Sequence, residues 1–245
     1  MNSTPMSFHQ RVSHALADGQ LRVALDRTTE RFTLNRVAGL ASLPDADAVR
    51  DRARSIRLHT LSRLDEYLEQ FEANVTSVGG QVHWASDAQE ANEIVLDLAR
   101  SRSVKRVVKS KSMVSEEIEL NQALISGGVD VVESDLGEYI IQLAGETPSH
   151  IIAPAVHKTR EQIGQLLADK LGVPMTDDPV EMTATARSAL REVFLQSEMG
   201  LSGVNFGVAS TGSLAIVTNE GNASLTVTAP RIHVAMMGIE RVVPT

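Results

Sequence analysis

The chain has 245 residues, 42% of them hydrophobic and 22% charged, a formal net charge of -8 and no cysteine. The missing thiols exclude disulfides, thiolate zinc sites, a cysteine nucleophile and any iron-sulfur cluster held by this chain's own cysteines. The acidic balance argues against a nucleic-acid binder, which needs a basic patch to attract phosphates, and leaves small molecules or proteins as partners.

The start, "MNSTPMSFHQRVSHALADG", has no apolar core of a secretory signal, and no apolar run approaches the ~18 residues of a membrane span. A cytoplasmic protein with no membrane span is expected. Residues 1–75 hold ten Arg, ten Asp plus Glu and no Lys, so the negative excess lies beyond them. That shift marks a helical N-terminal extension, 1–75, ahead of an α/β domain, 76–245. Within the extension, Leu21 to Leu40 predicts one helix. Leu61, Leu64, Leu68, Phe71 and Val75 recur at spacings of three and four, which predicts another helix with a packing stripe.

After "SVGG" the pattern changes. Short apolar runs at Val82–Ala85, Val104–Val108, Val129–Val132 and His150–Ala153 alternate with helical stretches at 88–100, 116–126, 136–144 and 158–171. This order predicts an open, mostly parallel sheet with helices on both faces. A helix over about 180–198 then precedes four strand-like runs, 203–209, 213–218, 223–229 and 231–236, expected as a C-terminal β-meander. In "GSLAIVTNEGNASLTV", Asn219, Gly221 and Asn222 suit a tight hairpin turn between two of those strands.

In an open α/β sheet, ligands settle beyond the carboxyl ends of the strands. Three loops fall there: "KSKSMVSEE" (109–117), "ESDLGE" (133–138) and "PAVHK" (154–158). If the strands are neighbours, Lys111, Asp135, Glu138, His157 and Lys158 share one site. Three of the chain's five lysines are Lys105, Lys109 and Lys111, and Lys109 and Lys111 alternate with Ser110 and Ser112 before a helix. This combination suits an anion, and it equally suits helix capping by Ser112 or Ser115. Asp135 with Glu138 reads as a capping box or as a base facing the crevice. His157 is placed for proton transfer or for closing its own loop.

Turn chemistry does not account for Glu220. It is a solvated turn residue or a nucleophile that Gly221 lets a substrate approach. Thr211 and Gly212 form a plain turn or a small anion-binding bend. "GLSGVNFG" fits neither the dinucleotide fingerprint nor the phosphate-binding loop.

Taken together, "VKSKSMVSEEI", "ESDLGEYIIQLAGETPSHIIAPAVHK" and "GVNFGVASTGSLAIVTNEGN" resemble the LUD domain of bacterial lactate-utilisation proteins, from about residue 55 to the final "GIERVVPT". The resemblance implies a fold similar to the ribose-phosphate isomerase, glucosamine-phosphate deaminase and coenzyme A transferase group. It implies participation in oxidising L-lactate to pyruvate with other lactate-utilisation subunits. It also implies 4Fe-4S clusters in a C-terminal ferredoxin-like region that this chain lacks, so the chain is expected to be a fragment without cofactor or metal of its own.

On that reading the chain is the ligand-binding and assembly domain of an iron-sulfur lactate-oxidising complex. Lys111 neutralises a small carboxylate such as lactate or pyruvate, His157 moves a proton, and Asp135 or Glu220 orients the substrate. Lys109, Ser110, Ser112, Glu138, Lys158, Thr211, Gly212, Asn219, Gly221 and Asn222 line the site. Two alternatives stay open: an acyl or coenzyme A transfer enzyme with Glu220 as nucleophile, and a non-catalytic subunit-docking domain.

Overall fold

The computed structural model describes residues 7–146, 153–218 and 220–245. Four helices open the chain: α1 (Phe8–Ala17), α2 (Gly19–Ala41), α3 (Ala46–Leu61) and α4 (Leu64–Ser77). Side chains that accept backbone N–H bonds set three of their starts: Ser7 takes Gln10, Asp18 takes Leu21 and Asp45 takes Ala48. No described residue of α1 or α2 is buried.

The expected stripe packs over Leu64, Leu68, Phe71 and Val75, which meet Ala209, Met237 and Val242. Leu61 falls outside it. The helix breaks at Ser62–Arg63 and leaves Leu61 exposed at the end of α3.

The main sheet consists of β1 (Arg106–Lys109), β2 (Asp130–Glu133), β3 (Met199–Gly203) and β6 (Ile232–Met236), in spatial order β2-β1-β3-β6 with every pairing parallel. Alternation along the strands divides the core. Val107, Val131, Met199 and Leu201 meet Val95 and Ala99 of α5 (Ala88–Ser101) and Leu120 and Leu124 of α7 (Leu120–Ser126) on one face. Val108 and Val132 meet Tyr139 of α8 (Leu136–Ala144) and Ala186, Leu190 and Phe194 of α10 (Pro179–Gln196) on the other. The α/β class expected from the alternating pattern is therefore present, with helices on both faces. Between these elements lie α6 (Met113–Glu117) and α9 (Arg160–Leu171).

A second sheet joins β4 (Phe206–Val208) antiparallel to β5 (Ser213–Ala215) and parallel to β7 (Val242–Val243). Here three expectations fail. The run 223–229, expected as a meander strand, is helix α11 (Asn222–Thr228), so Gly221 and Asn222 start a helix and not a second hairpin strand. Burial overrides strand propensity: Ala223 and Thr226, three apart, are the buried positions, and Gly200 leaves no room for a Cβ against the Thr226 carbonyl. The last run, as β6, pairs with β3 of the main sheet and not with a meander. Val82–Ala85 is not a strand, because Trp84 is exposed and donates to Glu72 of α4, and the segment buries no apolar face. Most of the expected strand at His150–Ala153 lies outside the described residues.

Two details bear on the site. The outer edge of β2 is closed by one side chain: Gln142 Oε1 accepts from Glu133 N at 3.0 Å and its Nε2 donates to the Val131 carbonyl at 2.7 Å. The chain leaves β1 for β2 on one side and returns to β3 on the other, so the reversal of strand order lies between β1 and β3, the position beyond whose carboxyl ends ligands settle in open α/β sheets. Among the described residues no helix is long and apolar enough to cross a membrane.

Candidate functional site

Each of the strands β1 and β2 continues its core-facing alternation with a charge. Lys109 follows Val107 on the α7 face, Glu133 follows Val131, and the register sets them opposite each other. The Lys109 Nζ donates to Glu133 Oε1 at 2.7 Å, and both residues are buried, at 0% and 4% exposure. Asn121 of α7 donates to the same oxygen at 2.7 Å. Glu116 of α6 brings a second carboxylate to 3.6 Å from Lys109. A third, Glu138 of α8, is buried and lies 3.9 Å from the half-exposed Lys111.

Three carboxylates thus surround two lysines at the end of the sheet. Burial, and then the charges of Glu116 and Glu133, push the Glu138 carboxyl up to about 7 against the opposing pull of Lys109 and Lys111. A carboxyl poised there exchanges its proton at neutral pH. Glu116, Asn121, Glu133, Glu138, Gln142 and Glu146, with Ile141, line a cavity of about 190 Å³.

The rim is completed by the Glu220 loop. Glu220 Oε2 accepts from Leu136 N, the first amide of α8, at 3.4 Å. Partial loss of hydration, then Asp135, raises its pKa although much of the residue is exposed. Gly221 takes φ +79° to start α11, and Asn222 reaches Ser134 Oγ at 3.4 Å. Gly203, at the end of β3, lies close under Lys111 and Ser112, where a Cβ would stand 3.2 Å from the Lys111 carbonyl oxygen.

The structure therefore gathers Lys111, Asp135, Glu138, Glu220, Gly221 and Asn222 around the start of α8. Asp135 accepts from Gly137 N and Glu138 N as its N-cap. Lys109 is fully buried, against Glu133 and Glu116. Ser110 is buried and its N–H bonds the Leu201 carbonyl, while Ser112 caps α6 by accepting from Ser115 N.

His157 and Lys158 do not meet Lys111 but reach the cavity from its other end, through Glu146, which lines it. Both bond Glu146, at 2.7 and 2.6 Å, beyond the far end of α8, and Lys158 and then His157 hold the Glu146 carboxyl below its usual range. Thr211 and Gly212 occupy the β4–β5 turn against α4. Thr211 bonds Ser213, and a Cβ on Gly212 would stand 2.6 Å from Val75 N. Asn219 lies outside the described residues.

Sequence reasoning missed Glu133, Glu116 and Asn121 as site residues. It also missed the bond between Ser202 Oγ and His233 Nε2, at 2.8 Å, on neighbouring strands; burial lowers the pKa of His233. The signal for Glu133 was present, as a charge placed on the core face of a strand end beside one of opposite sign. Among the described residues no group of acidic and histidine side chains is arranged to hold a metal ion.

The family model of the LUD domain matches residues 68–245. This chain belongs to the LUD domain family. Lactate utilization protein B of Bacillus thuringiensis (strain Al Hakam) and that of Bacillus cereus (strain 03BB102) are each 46% identical to it over 245 residues, covering 100% of this chain and 52% of the relative. The same figures hold for lactate utilization protein B of Bacillus anthracis (strain CDC 684 / NRRL 3495). The chain thus spans about half the length of the curated relatives it matches. No solved structure matches it. The 4Fe-4S clusters implied by the sequence resemblance find no ligands here, since the chain of this LUD domain has no cysteine.

Proposed function

We propose that this LUD domain is the ligand-binding and assembly part of a system that oxidises L-lactate to pyruvate, with Lys111 receiving the carboxylate of the substrate. The observation that carries this reading is the placement of Lys111. It is half-exposed beside the reversal of strand order, and its ion pair with Glu138 is long, at 3.9 Å. Glu138 sits near neutrality in pKa, so it gives up its hold on Lys111 by taking a proton when an anion arrives. The relatives named for lactate utilisation supply the substrate.

Iron-sulfur clusters, and the other subunits that receive the electrons, belong on this reading to the portion of the relatives' length outside this chain. Within the chain, Lys111 binds the carboxylate, Glu138 holds or releases a proton, and Asp135 and Glu220 fix the start of α8 beside them. Titration calorimetry of the 245-residue chain with lactate and with pyruvate, repeated with Lys111→Ala, tests the assignment. The expected result is an affinity loss of about tenfold or more in the variant, the scale of one charge-assisted hydrogen bond. Equal affinity in the variant overturns the carboxylate role of Lys111.

A further inference from the structure

Helices α1 to α3 bury almost nothing of their own. No described residue of α1 or α2 is buried, and α3 buries Thr60 alone. Yet twelve of the twenty-four large hydrophobics exposed among the described residues lie between Phe8 and Leu61, so this arm carries half of the exposed apolar side chains. Helices in proteins draw most of their stability from packing an apolar face. The 23-residue α2, which contains Thr28, Thr29, Thr33 and Gly39, has little intrinsic propensity to replace that packing.

Charge indicates what covers the arm. Residues 8–61 hold nine Arg and six Asp plus Glu, a balance of +3, whereas the remainder of the chain holds fourteen basic and twenty-five acidic residues, a balance of -11. The basic residues of the arm are all Arg, the type enriched at protein interfaces where Lys is depleted. On α2, Val23 and Leu34, 49% and 62% exposed, stand on either side of the exposed Arg27 and Arg31. Spacings of four, four and three place the four residues on one side of the helix. A surface of matching character lies at the start of α10. There Met175 and Val180, 49% and 76% exposed, stand among the exposed Asp177, Asp178 and Glu181, with no Lys or Arg between Lys170 and Arg187.

We propose that the chain forms a closed dimer in which the Val23–Leu34 face of α2 in each copy lies on the 175–181 surface of the other. A second copy suits the arm because it offers an acidic surface with apolar centres. Its own arm returns the same contact, so one two-fold axis satisfies both. With 23 residues at ~1.5 Å each, α2 is about 35 Å long, enough to reach across a neighbouring body. The inference involves none of the residues placed around Lys111 and stands or falls apart from the carboxylate reading.

The chain has no cysteine, so introduced ones report the contact directly. A Leu34→Cys chain mixed with a Met175→Cys chain under mild oxidation is expected to give a disulfide between two copies, which neither gives alone. Sedimentation of the unaltered chain is expected to show twice its mass of 26.5 kDa, with dissociation favoured as salt screens the exposed charges. Arg27→Glu with Arg31→Glu is expected to weaken the dimer about tenfold or more, since each change acts at both symmetric contacts. Adding Asp177→Lys and Glu181→Lys to that variant is expected to restore association. If this charge-exchanged chain fails to fold, the cysteine pair decides. A monomer at every concentration up to about 0.1 mM overturns the proposal. A dimer indifferent to Arg27 and Arg31 overturns it too, as does a disulfide formed within one copy carrying both cysteines, which would place the arm on its own body.

Discussion

Lys109 Nζ and Glu133 Oε1 meet at 2.7 Å inside the core, directly across the β1–β2 register. Lys109 is the cation that Glu133 and Glu116 share, so Lys109→Met leaves acidic groups in low dielectric with no ammonium among them. A cost of about 3–5 kcal/mol is expected, the range for breaking one side of a buried pair. Lys109→Met combined with Glu133→Leu is expected to be less destabilised than Lys109→Met alone. Urea unfolding of the two single variants and the double variant checks this, and additive losses would show that the pair is not coupled.

Gln142 substitutes for a neighbouring strand by bonding both Glu133 N and the Val131 carbonyl. Gln142→Leu removes both bonds and reopens part of the β2 edge, with an expected cost of about 1–3 kcal/mol. The freed edge is also expected to promote association between chains, because unpaired strand edges template further pairing. Sedimentation over a range of concentrations checks the second effect and denaturant unfolding the first.

The β4–β5 turn is fixed to α4 through Gly212, which has φ +68° and faces the backbone of Val75, and through Asn74 Nδ2, which donates to the Ala209 carbonyl at 2.7 Å. Gly212→Ala is therefore both strained and short of space. A loss of more than ~1 kcal/mol is expected, concentrated where the small sheet meets α4. Amide hydrogen exchange should lose protection in β4, β5 and α4 and keep it at Val107 and Leu201.

Apolar periodicity made the alternating architecture legible in the sequence, because α5, α8 and β2 bury the residues their spacing selects. The small groups at the start of α8 were legible too, since Asp135 ahead of Leu136-Gly137-Glu138 is a capping pattern whatever else it does. Longer-range competition hid the rest. Asn222–Thr228 carries strand-forming Thr and Val but is helical because it covers Gly200 of β3, a neighbour that local spacing cannot reveal. His157 was expected at the rim with Lys111. Glu146, eleven residues before it, draws it to the other end of α8, and loop reach alone does not predict which carboxylate a histidine finds.

Glu138 gives the fold its own pH signature. Its folded pKa of about 7 lies above the ordinary value of 4.5, so between those limits the folded chain holds a proton that the unfolded chain has released. Stability from this group is fully present below about pH 4.5 and is lost as pH rises through about 7. The unaltered chain should therefore lose on the order of 1–3 kcal/mol between pH 5 and pH 8 from Glu138. Glu138→Gln is neutral throughout that range, and it should flatten this part of the profile and be the more stable protein at pH 8. Glu146, whose pKa is lowered, acts in the opposite direction, and its contribution is lost only as pH falls below the usual carboxylate range. Thermal or urea unfolding of both proteins at half-unit steps from pH 5 to 8 separates the two. Parallel profiles would mean that Glu138 is ionised at neutral pH and that Lys111 is held by a full charge.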